Sequence, residues 1–292
     1  MRIATNHIKS IVKFFQDELA ALYSKEEIEN FIFFSFEHFL GFSQTDLILK
    51  AADTISESEL LKFNDVVKRL KNEEPIQYIL GEAWFYGLKF KVNSSVLIPR
   101  PETEELVDWI IKDARDSKPA PAGILDIGTG SGCIAVTLKK KLPGAELAAV
   151  DISPESLHTA RENGKLNNVA VNFIQGDVFN FQSLDFGLSN SFDIIVSNPP
   201  YVLHSEKMDM KKNVLDHEPH LALFVDNNDP LLFYRVISEI ARKKLNSNGK
   251  LYFEINEAKG KDIKSMLLEF GYRNIEIKKD ISGKDRMIRA EL

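Results

Sequence analysis

The feature that most constrains the fold is an alternation running from residue 99 to the end of the chain. Strand-sized apolar runs recur at Gly123–Ile127, Glu146–Asp151, Ala170–Gln175, Phe192–Ser197, Lys250–Ile255, Asn274–Ile277 and Met287–Glu291. Helical patterns lie between most of them. Alternation of this kind builds βαβ units and a mainly parallel sheet. The expectation is an α/β domain over residues 99–292, with seven strands.

Upstream the pattern changes. Over residues 1–73 apolar residues recur at intervals of three and four: Ile8, Ile11, Val12, Phe15, Leu19 and Leu22, then Ile28, Phe31, Ile32 and Phe39. That is helical periodicity. Ser24 precedes the acidic first turn Lys25-Glu26-Glu27, as an N-cap does, and Gly41 can stop the helix that follows. Ser56 with Glu59 reads as a capping box for a helix ending near Leu70. These residues predict a small helical bundle. Residues 74–98 are rich in aromatic and β-branched side chains, with Gly87 between Trp84-Phe85-Tyr86 and Leu88-Lys89-Phe90-Lys91-Val92. They read as a linker carrying a β-hairpin.

Composition bounds the function. A chain of 292 residues, 44% hydrophobic and 27% charged, is ordinary for a soluble globular protein of two domains. Its net charge of −6 argues against tight sequence-independent binding to nucleic acid, which needs a basic surface. Cys133 is the sole cysteine, so no disulfide framework forms within the chain and a reducing compartment is the simpler reading. The first twenty residues hold no uninterrupted apolar h-region, and the aromatic run Phe31–Phe36 is too short to span a bilayer. A cytoplasmic, monomeric enzyme is expected.

The segment Ile124-Leu125-Asp126-Ile127-Gly128-Thr129-Gly130-Ser131-Gly132 runs a strand into a glycine-rich turn that opens a helix. Glycines let the backbone approach a ligand, and the helix N-terminus offers free N–H donors. A dinucleotide fingerprint would be G-x-G-x-x-G. Here the third glycine falls one residue early and Cys133 follows. That spacing, preceded by Asp126, favours S-adenosyl-L-methionine, which has no pyrophosphate to cradle. Asp126 suits the amino-acid end of that cofactor. Asp151, at the next strand end, suits a ribose. Asp177 could accept from the adenine amino group, with Val178 against the ring. Taken singly, each acid is as well explained by a solvated loop or a helix cap. Three at successive strand ends lie where such sheets bind ligands.

The fourth strand ends in Asn198-Pro199-Pro200-Tyr201. Two prolines forbid helix and ladder pairing, so the chain must turn there. An amide or exocyclic amine nitrogen is a poor nucleophile, because its lone pair is delocalised. Two acceptors on its N–H groups can aim it at a methyl and stabilise the charge that develops. The Asn198 side-chain oxygen and the Pro199 carbonyl can be those acceptors. Tyr201 can stack on the flat group. Asn198, Pro199 and Tyr201 are therefore the candidate catalytic residues.

On these residues the chain resembles the release-factor glutamine N5-methyltransferases. The resemblance covers Glu74–Gly81, Leu97–Glu104, Asp126–Gly132, Asn198–Tyr201 and His217–Leu223, in that order along the chain. It implies a Rossmann-like class I methyltransferase domain, S-adenosyl-L-methionine as donor and S-adenosyl-L-homocysteine as product. It implies methylation of the glutamine in the Gly-Gly-Gln motif of class 1 peptide chain release factors, a step bearing on translation termination. Cofactor contacts at Gly128, Thr129, Gly130, Ser131, Gly132, Asp151, Val178 and Asn198 follow from it. So do substrate contacts at Asn198, Pro199, Pro200 and Tyr201. The helical domain would dock the release factor. Where relatives often carry an aromatic residue, this chain has Val178.

Other residues have plainer readings. Arg100, Pro101, Glu102 and Glu104 suit a helix start, with a role closing over the cofactor as the alternative. His217 and His220 lack metal-ligand spacing, so no metal is expected. Cys133, Trp84, Phe85 and Tyr86 read as packing. The competing enzyme reading is a methyltransferase acting on adenine N6 or guanine N2 of nucleic acid. The non-catalytic alternative is a docking protein that has lost activity.

Overall fold

The computed structural model describes residues 5–183 and 191–292. The chain divides into two compact units. One holds the residues up to Gly81 together with Lys211–His217, and the other holds Glu82–Met210 and Glu218–Leu292.

The N-terminal unit is helical. Its helices are Ile8–Leu19, Lys25–Leu40, Gln44–Leu49, Glu57–Leu70 and Ile76–Leu80, joined by Lys212–His217 from later in the chain. Serine caps set three of the starts. Ser24 with Glu27, Ser43 with Asp46 and Ser56 with Glu59 each form a reciprocal capping box. Gly41 ends the second helix in the left-handed conformation (φ 67°), where a side chain would be strained. Ile11, Phe15, Leu19, Phe36, Phe63 and Leu70 form a fully buried core. Each such side chain contributes roughly 1.5–3 kcal/mol when removed from water.

The second unit opens with a hairpin of strands β1 (Glu82–Phe85) and β2 (Leu88–Lys91). Phe85 pairs with Leu88 across the two-residue turn Tyr86-Gly87, and both turn residues have positive φ (51° and 73°). That backbone matches the twist of a tight hairpin, and Gly87 adopts it freely. The hairpin is held from outside: the Tyr86 N–H donates to Glu104 Oε1 (2.8 Å) and its hydroxyl to Asp108 Oδ1 (3.0 Å).

The main sheet is built from β3 (Gly123–Ile127), β4 (Glu146–Asp151), β5 (Asn172–Gln175) and β6 (Phe192–Ser197). A separate short pair, β7 (Val202–Leu203) and β8 (Phe224–Val225), follows. The main sheet is then completed by β9 (Leu245–Glu254), β10 (Arg273–Lys279) and β11 (Asp285–Glu291). Strand order is β10-β11-β9-β6-β3-β4-β5. β11 runs opposite to the other six strands, pairing antiparallel with both β10 and β9. Seven strands, mainly parallel, are as the sequence predicts. Ala170 and Val171 fall outside β5, and β9 begins at Leu245 rather than Lys250. The polar Asn246–Gly249 stretch sits in a register shift between the Phe192–Leu245 and Ile194–Lys250 pairs.

Period-two alternation sorts the strands between two cores. Leu125, Ile127, Ala148, Val150, Ile195, Leu251 and Phe253 face one, with helices Leu232–Lys244 and Gly260–Glu269. Ile124, Leu147, Ala149, Ile194, Val196 and Tyr252 face the other, with helices Pro101–Asp116 and Cys133–Lys141. Chain order runs outward from β3 to β5, then returns to β6 on the other side of β3. The crevice at that reversal is where open α/β sheets bind ligands.

Candidate active site

The carboxyl ends of β3 and β6 sit side by side. Ile127 pairs with Ser197, and Ser197 Oγ donates to the Ile127 carbonyl (2.7 Å). A cavity of about 410 Å³ opens over these ends, within the range of small-ligand sites. Its wall takes Gly128, Thr129, Gly130 and Ser131 from the loop after β3 and Asp151 from the end of β4. Asp177 and Val178 come from the turn after β5, and Asn198, Pro199 and Pro200 from the turn after β6. Ser95, Val96, Leu97, Pro99, Arg100 and Thr103 line it too, as do Pro219, Leu221 and Ala222.

Gly128, Gly130 and Gly132 all have positive φ (74°, 54° and 79°), so the loop winds through a conformation that side chains disfavour. A Cβ on Gly128 or Gly130 would meet nothing within 4 Å, so a ligand can approach their Cα atoms closely. The expected free N–H donors are taken: Gly128 and Thr129 donate to the Val150 carbonyl (2.8 and 3.0 Å) and Gly130 to Asp151. Gly132 differs. A Cβ there would lie 3.1 Å from Ala160 Cβ. This glycine lets helices Cys133–Lys141 and Pro154–Leu166 approach, and it does not line the cavity.

Asp126 also lies off the cavity wall. It is fully buried beneath the loop, where its Oδ2 accepts from Thr129 Oγ1 (2.7 Å). Burial pushes its carboxyl up to about 7, with the nearby Asp151 adding to the rise. Asp151 is tied to the loop as well. Its Oδ2 accepts from the Gly130 N–H (2.8 Å) and its Oδ1 from the Ser153 N–H (3.0 Å), while burial raises its pKa. Asp177 accepts from the Phe179 N–H (2.9 Å), capping the short helix Val178–Ser183, and still reaches the wall.

Tyr201 is not on the wall either. Its hydroxyl donates to Glu254 Oε1 (3.0 Å), and burial, then Glu254, raises its pKa. Glu254 ends β9 and is 1% exposed. Its Oε2 accepts from Thr103 Oγ1 (2.5 Å), and Thr103 Oγ1 accepts from Asn198 Nδ2 (3.3 Å). Arg100 holds the far rim. Its guanidinium pairs with Glu218, which also accepts from the Ile98 N–H (3.3 Å). Burial pushes the Cys133 thiol up to about 12, so it holds no thiolate near neutrality.

Several wall and support residues escaped the sequence reading. Phe179 follows Val178, is half exposed, and sets its ring 5.8 Å from that of Phe233. Both line the cavity, so an aromatic wall sits one residue later than the resemblance suggests. Asn163, fully buried, accepts from the Lys91 N–H and donates to the carbonyls of Lys91 and Ser131 (2.6, 2.9 and 2.9 Å). It fastens hairpin and glycine loop together. Local periodicity carries no signal for Glu254, Asn163 or Glu218, because their partners are distant in sequence.

The cavity suits a methyl-donor cofactor. It offers glycines with no side chain to bar close approach, the carboxylates of Asp151 and Asp177, and an apolar slot of Val178, Phe179 and Phe233. Ser131 Oγ is buried on the wall with no hydrogen-bond partner among the described residues.

This sheet, with a glycine loop and an Asn-Pro-Pro-Tyr turn on adjacent strand ends, defines a Rossmann-like methyltransferase. The Methyltransferase small domain family model matches residues 111–221, and the PrmC N-terminal domain model matches residues 12–81. The chain belongs to the release factor glutamine methyltransferase family. It is 48% identical to the release factor glutamine methyltransferase of Flavobacterium psychrophilum, covering 97% of this chain and 98% of that one. It is 45% identical to that of Bacteroides thetaiotaomicron, covering 96% and 98%. Among solved structures, the hMettl16 catalytic domain matches with a TM-score of 0.54 at 15% identity, covering 81% of each chain. That likeness shows the fold alone.

Proposed function

We propose that this chain transfers a methyl group from S-adenosyl-L-methionine to the side-chain amide nitrogen of the glutamine in the Gly-Gly-Gln motif of class 1 release factors. The observation that carries the reading is one cavity lined both by the glycine loop after β3 and by Asn198, Pro199 and Pro200 after β6.

Thr129, Gly130, Ser131 and Asp151 would hold the amino-acid and ribose parts of the cofactor, and Asp177, Val178 and Phe179 the adenine. When bound, the cofactor supplies an electrophilic methyl on a sulfonium. The protein's part is to aim the amide nitrogen. The Asn198 side-chain oxygen and the Pro199 carbonyl accept its two N–H groups, which orients it and stabilises the positive charge that forms on it. The rigid Pro199-Pro200 step fixes the direction of the carbonyl. No strong base is needed, since the methylated nitrogen sheds its proton readily. Asp126 and Gly132 support the loop from below, and Tyr201 reaches the site through Glu254. The helical unit docks the release factor, and the enzyme works as a monomer in the cytoplasm.

The test is transfer of labelled methyl to a purified release factor, beside a variant with the Gly-Gly-Gln glutamine changed to alanine. Label on the first only, reduced roughly 10²–10³-fold by Asn198→Ala, is the expected result. No label on either, with cofactor binding intact, overturns the reading and directs the search to nucleic acid.

A further inference from the structure

Glu254 is a fully buried carboxylate that the chemistry above uses only as the tie for Tyr201. It stands at the carboxyl end of β9, the neighbour of β6 in the sheet. Both its oxygens are engaged, one by the Thr103 hydroxyl (2.5 Å) and the other by the Tyr201 hydroxyl (3.0 Å).

A threonine hydroxyl has one proton to give. Thr103 gives it to Glu254, so the lone pairs it turns toward Asn198 can only accept. What faces Thr103 must then be the NH₂ end of Asn198, at 3.3 Å. The two ends of an amide are nearly alike in shape, and the hydrogen-bond network decides between them. The choice matters here. An Asn198 turned the other way would present N–H groups, rather than an acceptor, to an amide nitrogen that itself carries N–H.

We propose that Glu254 is a positioning residue: through Thr103 it fixes which end of Asn198 faces the substrate. The proposal rests on the reading of Asn198 as an acceptor for the glutamine amide. The negative charge carries the instruction. A protonated or amide side chain at this position could donate to Thr103, release the Thr103 proton toward Asn198, and let the amide turn over. Burial raises the Glu254 carboxyl pKa, while its bonds to Thr103 and Tyr201 and the charge of Arg286 on β11 oppose the rise. Glu102, on helix Pro101–Asp116, adds to the rise, and the Tyr234 hydroxyl donates to the Glu254 main-chain carbonyl (3.2 Å).

The experiment compares wild type, Glu254→Gln, Thr103→Ala and Thr103→Ser in methyl transfer to a release factor. We expect Glu254→Gln to lower kcat by roughly 10–100-fold, with KM for the release factor and Kd for S-adenosylmethionine changed less than about threefold. Thr103→Ala should do the same, Thr103→Ser should restore most of the rate, and the double variant should be no worse than either single one. Wild-type kcat should fall on an acid limb that Glu254→Gln lacks. A folded Glu254→Gln with kcat within about twofold of wild type sinks the proposal, as do Glu254→Gln and Thr103→Ala effects that multiply. If Glu254→Gln does not fold, the two Thr103 variants decide alone: equal rates for alanine and serine sink it. Failure of the wild type to methylate glutamine would overturn the underlying reading and this proposal with it.

Discussion

Arg100 and Glu218, 118 residues apart in sequence, meet in an ion pair of 2.5 Å, and the Glu218 side chain is 1% exposed. The pair fastens the Pro219–Ala222 stretch of the cavity wall to the segment leading into helix Pro101–Asp116. Arg100→Ala would leave a buried carboxylate with the Ile98 N–H as its one remaining partner among the described residues, at a cost of roughly 1–3 kcal/mol. We expect weaker cofactor binding, by about tenfold, in calorimetric titration. Glu218→Gln should weaken binding as well, because Arg100 bonds one carboxylate oxygen and the Ile98 N–H the other, and a glutamine has a single oxygen for the two donors. Equal binding by Arg100→Ala and wild type would show that the clasp does not shape the wall.

Gly132 is fixed by space as well as by backbone. Its φ is 79° and a Cβ would come within 3.1 Å of Ala160 Cβ. Gly132→Ala should destabilise by about 1–3 kcal/mol in denaturant unfolding. Ala160→Gly removes the 3.1 Å contact but leaves the Ala160 Cα at 3.3 Å and costs about 1 kcal/mol by itself as a helix glycine, so the double variant should be more stable than the sum of the two single changes. Strict additivity would place the whole cost of Gly132→Ala in φ.

Asp126 predicts a pH dependence of stability. Its carboxyl rises from an ordinary value of 3.8 to about 7 on folding. The folded state therefore binds the proton more tightly than the unfolded chain. Stability falls as pH climbs through that interval, by roughly 2–4 kcal/mol. Asp126→Asn keeps an oxygen for Thr129 and carries no charge, so unfolding curves from pH 4 to 8 should show a flatter slope. Identical slopes would mean that Asp126 ionises in the folded protein as it does in the unfolded chain.

The strands were legible because each is a short apolar run closed by a turn, and the last residue of every one of the seven falls within two of its expected end. Helices Gln44–Leu49 and Ile76–Leu80 were not separated, being too short to show a period. The cavity residues after β3 and β6 were legible from glycine spacing and paired prolines. Asp126 and Tyr201 were legible as members of those motifs but not as supports, because a motif names neighbours in sequence and not the direction of a side chain. The link between Thr103 and Glu254 depends on which strand neighbours β6, and that between Arg100 and Glu218 joins two non-strand segments distant in sequence; no local pattern encodes either.

Asn163 marks the same limit. Asn163→Ala would strip partners from the Lys91 N–H and from the carbonyls of Lys91 and Ser131. We expect a loss of roughly 2–4 kcal/mol, and earlier hydrogen exchange at Lys91 than at β3 amides. Unchanged protection at Lys91 would show that the hairpin holds without this side chain.

The pairing of Ile127 with Ser197 sets a distance as well as a topology. Two adjacent strands stand about 4.8 Å apart, whatever the loops beyond them do. The span between the glycine-loop side of the cavity and the Asn198 side is therefore ruled by the ladder of the sheet. Everything that chooses a substrate can be exchanged around that span without re-measuring the reach of the methyl.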